Sequence, residues 1–246
     1  EEGSCEYACV DNLNSLIYDY NSSTNTYTLN QNMEFNSLPD ITLEGGVTFD
    51  GGGYTLKYTG SVGWTGLFKP AQDTSFIIKN INLVLGDTTN TVDIAEKCGG
   101  IIGENDGTVT FGKVEIYNCS VSCYAVGQNG GGIVGKYFGS GATEENTCII
   151  KNCYSEGSVS NNGSGGICGQ FVGGGSGNVE IYNCYTTGSI SGDQAGGICG
   201  QGATKSNGTV NIYNCYTTGE ISGDSAGGIC GYNAGYEGTL NIYNCY

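Results

Sequence analysis

The cysteines are the residues of this chain with the most reactive chemistry. There are 13 among 246 residues, and in the second half of the chain they recur in two alternating slots, "NC" and "GGIC". A cysteine thiol forms disulfides in an oxidising compartment, binds zinc as a thiolate, or packs as a small apolar side chain. Which of these applies depends on where the two slots lie in the fold.

Alignment of the copies indicates that both slots belong to the interior. The NC slot holds Ile81, then Cys119, Cys153, Cys184, Cys215 and Cys245. The GGIC slot holds Phe68, Ile102 and Val134, then Cys168, Cys199 and Cys230. Because cysteine replaces large apolar residues at both positions, we expect these side chains to face the core, as free thiols or as disulfides.

Two disulfide registers are open. The first is Cys153–Cys168, Cys184–Cys199 and Cys215–Cys230, and the second is Cys168–Cys184, Cys199–Cys215 and Cys230–Cys245. Facing sheets lie about 10 Å apart, whereas a disulfide needs Cα atoms within about 7 Å, so only slots near a corner can pair. The first register, which joins each NC cysteine to the GGIC cysteine that follows it, is our prediction. It leaves Cys245 free or available for an intermolecular bond.

Metal and catalytic chemistry have little support. Cys5 with Cys9, and Cys119 with Cys123, have spacings that zinc could use, but without His a site would need four cysteines. Asp193 and its copy one repeat later lie in turn sequences that lack the dense Asp pattern of a calcium site. A His-dependent triad is excluded, and no cleft with paired carboxylates is indicated. The sequence predicts a non-enzymatic protein with no cofactor.

Composition limits the partners and the location. The chain has eight Lys, no Arg and 24 acidic residues, for a net charge of −16. Nucleic acid binding needs clustered Lys and Arg and is excluded, and no run of about 18 apolar residues is present to insert into a membrane. The cysteine content and the N-x-S/T sequons favour an extracellular or surface location, with glycans at Asn21, Asn162 and Asn207.

The elements that must position these residues come from an internal repeat. "VEIYNCYTTGSISGDQAGGICGQ" begins at Val179 and recurs from Val210 as "VNIYNCYTTGEISGDSAGGICGY". Within each copy apolar and polar residues alternate as in a strand, and Gly pairs and SGD clusters supply turns. Repeated strand–turn units without helices predict an all-β solenoid whose coils stack at roughly 4.8 Å.

Asparagine and tyrosine should form columns along this solenoid. Asparagine tolerates the left-handed backbone of a corner, and stacked amides hydrogen-bond to one another. The predicted ladder is Asn80, Asn118, Asn152, Asn183, Asn214 and Asn244, in which the sequon at Asn118 should be buried and unglycosylated. The predicted outward Tyr stripe is Tyr117, Tyr182, Tyr213 and Tyr243, with a second series at Tyr154, Tyr185, Tyr216 and Tyr246. Such stacks stabilise coils, or bind sugars or a neighbouring chain.

The repeat resembles a known family. "GGICG" together with "NCYTTGSISG" is similar to the GLUG-type repeats of secreted and surface proteins, including some of large DNA viruses, and "VTFDGGGYTL" with "TGLFKP" resembles their lead-in coils. The resemblance covers roughly residues 27–246 and implies a single right-handed parallel β-helix. We expect a cap over residues 1–26, lead-in coils over 27–97 and repeats over 98–246. Leu13, Leu16 and Ile17 have helical spacing within the cap.

The sequence stops at "LNIYNCY", within a repeat and before a cap. An unpaired strand edge is a template for another chain, so we expect copies to join end to end in a glycosylated surface filament, stalk or fibre. The first alternative is a monomeric adhesin that binds glycans through the Tyr stripe. A glycan-active β-helix enzyme is the second.

Overall fold

The computed structural model describes the backbone of Ala8–Cys9 and all of residues 18–246. Regular structure in this part of the chain is entirely β, and no helix there is long and apolar enough to cross a membrane. The strands are β1 (Ala8–Cys9), β2 (Tyr18–Asn21), β3 (Thr26–Leu29), β4 (Met33–Phe35), β5 (Thr48–Asp50), β6 (Thr55–Tyr58), β7 (Phe76–Lys79), β8 (Asn82–Leu85), β9 (Val114–Tyr117), β10 (Ser120–Ser122), β11 (Cys148–Lys151), β12 (Tyr154–Ser155), β13 (Asn178–Tyr182), β14 (Tyr185–Thr186), β15 (Thr209–Tyr213), β16 (Tyr216–Thr217) and β17 (Thr239–Tyr243).

Two sheets extend along the described chain. The odd sheet contains β3 and every odd-numbered strand to β17, with β2 at its edge, and the even sheet contains every even-numbered strand from β4 to β16, with β1 at its edge. The strands of consecutive coils are parallel and in register, so that Val179 pairs with Val210 and Tyr182 with Tyr213. Each repeat therefore makes one coil, and the predicted all-β parallel solenoid is confirmed.

The GGIC motif forms a third side of the coil through isolated parallel bridges. In this column Phe68, Ile102, Val134, Cys168, Cys199 and Cys230 pair in succession. Close packing of the backbone explains the two glycines. A Cβ on Gly196 would lie 2.0 Å from the Cys199 carbonyl oxygen, and one on Gly197 would lie 2.1 Å from the carbonyl oxygen of the next coil. Neither position has room for a side chain.

The core changes character along the solenoid. In the lead-in coils it contains large aromatic residues: Trp64 packs against Tyr58 and Phe35, and its indole Nε1 donates to the Gly100 carbonyl at 2.8 Å. In the repeats, cysteine and small aliphatic residues take these places, and Cys153 and Cys168 are completely buried. The prediction that both cysteine slots face the interior is confirmed.

The first fully described residues form a strand at the edge of the odd sheet. Leu13, Leu16 and Ile17, whose spacing predicted a helix, lie outside the described residues. Tyr18–Asn21, which follows them, is strand β2 and pairs antiparallel with β3. Tyr20 packs on Tyr27 with ring centroids 4.6 Å apart.

Candidate functional site

An asparagine ladder occupies the corner between the two sheets. Each of its six members has a left-handed backbone, with φ between 51° and 56°. The side-chain Nδ2 of each of the five later members donates to Oδ1 of the asparagine one coil earlier, at 3.0–3.4 Å. The ladder is Asn80, Asn118, Asn152, Asn183, Asn214 and Asn244, the series that the sequence predicted.

The ladder is at the surface, which corrects one expectation. Asn118 was predicted to be buried, yet its side chain is exposed. It donates to Asn80 and accepts from Asn152, both at 3.1 Å. The corner turns the amides outward because the left-handed residue is the point at which the chain leaves one sheet for the other.

Asp50 continues the ladder at its first step. Its Oδ1 accepts from Asn80 Nδ2 and from the Gly52 amide, both at 2.9 Å, and its Oδ2 lies 3.1 Å from the ammonium of Lys79. Burial by itself would raise the pKa of Asp50, but the bonds from Asn80, Gly52 and Lys79 together hold it below its ordinary value. The carboxylate is therefore ionised at neutral pH.

The tyrosine stripe on the odd sheet is interrupted. Tyr182, Tyr213 and Tyr243 stack face to face, with centroids 4.8 and 5.0 Å apart. Tyr117 was predicted to join them, but Lys151 pairs with both Tyr117 and Tyr182 and separates the two rings. The hydroxyl of Tyr182 donates to Glu180 at 2.7 Å, and burial followed by this bond raises its pKa.

A second tyrosine stack on the even sheet is continuous. Tyr154, Tyr185, Tyr216 and Tyr246 have centroids 4.9, 5.0 and 5.2 Å apart and rings within 6° of parallel. The residue in register before Tyr154 is Ser120, and the one before that is Asn82. The stack therefore ends at Tyr154, where ring-bearing residues give way to small polar ones.

A groove of about 520 Å³ lies beside this end of the stack. It runs along the corner, between the asparagine ladder and the even sheet. Its lining includes Tyr154 and Ser120 of the even sheet and Asn80, Asn118 and Asn152 of the ladder. We call this the corner groove. The sequence predicted the ladder and the tyrosine but not the groove itself.

The cysteines form two columns of thiols within the core. The backbone N–H of Cys119 points at the sulfur of Cys153 at 3.4 Å, and that of Cys184 points at the sulfur of Cys215 at 3.4 Å. All eleven cysteines from Cys98 onward are free thiols. The disulfides Cys153–Cys168, Cys184–Cys199 and Cys215–Cys230 are thus not formed in this structure, because each thiol packs against the equivalent slot of adjacent coils. Cys245 is half-buried above Cys215.

The remaining predicted sites have ordinary surroundings. The sequon residues Asn21, Asn162 and Asn207 are exposed, two of them in turns. Asp193 Oδ1 accepts from the backbone N–H of Asp224 at 3.2 Å, which is a turn-to-turn contact. Among the described residues no cluster of His, Cys, Asp or Glu is arranged to hold a metal ion. Cys5 lies outside this part of the chain.

The corner groove could have been predicted by comparing the in-register residues of successive coils, instead of the motifs within each repeat. The position after the NC cysteine reads Asn82, Ser120, Tyr154, Tyr185, so the change from small to aromatic is visible in the alignment. That this change marks a groove depends on the ladder being at the surface, which the sequence did not indicate.

Compared with family models, curated proteins and solved structures, the chain matches none.

Proposed function

We propose that this chain is a non-enzymatic structural protein, a subunit of an extracellular or surface filament, stalk or fibre related to the GLUG-type β-helices. The observation that carries the proposal is the asparagine ladder, whose hydrogen bonds join every coil from Asn80 to Asn244 without a break. The ladder and the tyrosine stacks link neighbouring coils at the surface, and the thiol columns pack neighbouring coils together in the core. Such a body is stiff along its axis.

Charged side chains are used to link coils. Lys57 pairs with Glu34 at 3.1 Å across adjacent strands of the even sheet, and Lys79 pairs with Asp50 at 3.1 Å across the odd sheet. Each of these charged groups is paired with a group on the adjacent coil, and the pairs do not converge on one reactive centre. That arrangement supports a scaffold in preference to a catalyst.

The coils are complementary to one another, which supports end-to-end association. Ile181 and Ile212 are completely buried because the next coil covers each of them. A coil of a second copy stacked on such a coil would be held by the same in-register pairing. A contact of this head-to-tail kind does not close on itself and so produces a filament.

Electron microscopy of the purified protein tests this proposal. The described chain has eight coils in the odd sheet, a length of roughly 40 Å at about 4.8 Å per coil. We expect filaments many times longer than this. Tyr124→Asp, at a side-facing residue that is 64% exposed, should leave the filaments intact because the coils associate along the axis.

Two results would contradict the proposal. Wild-type protein that stays as single rods at high concentration rules out self-assembly. Filaments that are lost in Tyr124→Asp rule out association along the axis. The second candidate function, glycan binding by an adhesin, is supported by the partly exposed tyrosine stacks and does not require assembly.

A further inference from the structure

The end of the even-sheet tyrosine stack leaves one aromatic face without a ring partner. Tyr154 is covered on one face by Tyr185, at 4.9 Å and 5° from parallel. On its other face the in-register residue is Ser120, which carries no ring. Tyr154 and Ser120 both line the corner groove. A further ring in the register of Ser120 would therefore continue the stack along the groove.

A flat ligand that takes the place of this ring would contact the free face of Tyr154. An aromatic face carries a partial negative charge, so it attracts the weakly positive C–H groups on one side of a pyranose ring. The volume of about 520 Å³ falls within the range of small-ligand sites, roughly 300–1,000 Å³. The corner groove therefore has room for a sugar ring and its neighbours in a chain.

The wall of the groove offers hydrogen-bonding groups to sugar hydroxyls. An asparagine amide has two N–H donors and two acceptor lone pairs. In the ladder Asn118 uses one donor toward Asn80 and one acceptor toward Asn152. One N–H and one lone pair remain on its exposed amide. A hydroxyl group, which both donates and accepts, matches this pair, and the ladder repeats it at every coil.

The charge of the groove selects against anionic ligands. Asp50 lies on its lining, and the ammonium of Lys79 is already paired with that carboxylate at 3.1 Å. The lining residues themselves include no Lys. The chain as a whole has a net charge of −16. A uronate or sulfated sugar would thus meet repulsion without a cation to offset it.

We propose that the corner groove is a binding site for a neutral saccharide, with one pyranose ring stacked on Tyr154 and its hydroxyls bonded to the amides of Asn118 and Asn152. The ligand class is a neutral oligosaccharide or glycan chain. This site is separate from the tyrosine stripe of the odd sheet, and it operates equally on a single rod or on an assembled filament.

The test uses the whole chain and isothermal titration calorimetry. The neutral probes are cellotetraose, mannotetraose, galactotetraose and N-acetylchitotetraose, and the acidic probe is tetragalacturonate. We expect binding of at least one neutral probe at millimolar concentration and none of tetragalacturonate. Ser120→Tyr should extend the tyrosine stack into the groove and weaken that binding by at least about tenfold.

Further variants distinguish the site from its surroundings. Tyr154→Ala should lose binding to the same extent, whereas Tyr154→Phe keeps the ring and should retain it. Tyr213→Ala, which removes a ring from the odd sheet, is the matched control and should bind as wild type does. Thermal unfolding of each variant verifies that the fold is kept. Ser120→Tyr exchanges the bond from the Ser120 hydroxyl to Asn82 Oδ1, at 2.7 Å, for a stacked ring.

The outcomes decide the proposal. It is overturned if no neutral probe binds, if Ser120→Tyr binds as tightly as wild type, or if tetragalacturonate binds as well as the neutral probes. A loss confined to Tyr213→Ala would also overturn it, because that result would place the sugar on the odd-sheet stripe.

Discussion

Substitutions at Asn183, in the middle of the asparagine ladder, separate the two roles of these residues. Asn183 has φ of 51°, donates to Asn152 at 3.0 Å and accepts from Asn214 at 3.2 Å. Each such bond contributes about 0.5–1.5 kcal/mol, and since these are exposed we take about 0.7 for each. Placing alanine at positive φ costs about 1 kcal/mol more than placing glycine there.

The expected free energies of unfolding follow from these terms. Asn183→Gly should lose both bonds but keep the backbone, a loss of about 1.5 kcal/mol, and Asn183→Ala should lose about 2.5 kcal/mol. Equilibrium unfolding in urea measures both. Asn129→Gly is the control, because Asn129 also has a left-handed backbone, with φ of 58°, but is not a ladder residue, so its loss should be smaller.

Two results would refute this reasoning. If Asn183→Ala is no less stable than Asn183→Gly, the left-handed corner is not the constraint that we describe. If Asn183→Gly lies within about 0.5 kcal/mol of wild type, the ladder bonds contribute nothing measurable to stability.

Four other predictions can be measured directly. Denatured, unreduced protein should give at least eleven reactive thiols, the number free from Cys98 onward, and a count of only a few would show that the core cysteines are oxidised. In the native state, burial and then Glu104 raise the pKa of Cys98 to about 11, so its alkylation should increase only as the pH approaches that value. On expression through a secretory pathway, glycopeptide mass spectrometry should find Asn162 and Asn207 occupied and Asn118 empty; an occupied Asn118 would contradict its role in the ladder. Finally, the pKa of Asp50 is lowered on folding, so its stabilising contribution is complete above the ordinary value of 3.8 and is lost as the pH falls below it. Acid unfolding of Asp50→Asn should accordingly show a weaker pH dependence than wild type.

Much of this fold could be predicted because coils stack in register. When each repeat forms one coil, equal positions in the repeat become columns in space, so Asn183 and Asn214 could be placed together from their spacing alone. The same logic placed Cys168 and Cys199 in one interior column, since Phe68 and Val134 occupy that slot elsewhere.

The wrong predictions concern contacts within one coil, or positions at which successive coils carry different residues. Whether Cys153 can reach Cys168 depends on which sides of the coil they occupy, and the repeat spacing contains no information about that. Tyr117 was assigned to the stripe by motif, although the Lys151 copy that separates it from Tyr182 was present in the alignment. The exposure of Asn118 follows from the outward direction of the corner, which a stacking argument leaves open.

The direction of the ladder hydrogen bonds has a mechanical consequence. They run between coils, along the long axis, whereas the covalent chain runs across it. Tension applied to the two ends of the solenoid therefore loads these bonds lengthwise, and the outermost coil peels away before the next is disturbed. Each coil of about 30 residues would release about 100 Å of extended chain, at roughly 3.4 Å per residue. Under load the protein would behave as a series of equal extensible links, which lengthen one at a time while the rest of the body stays folded.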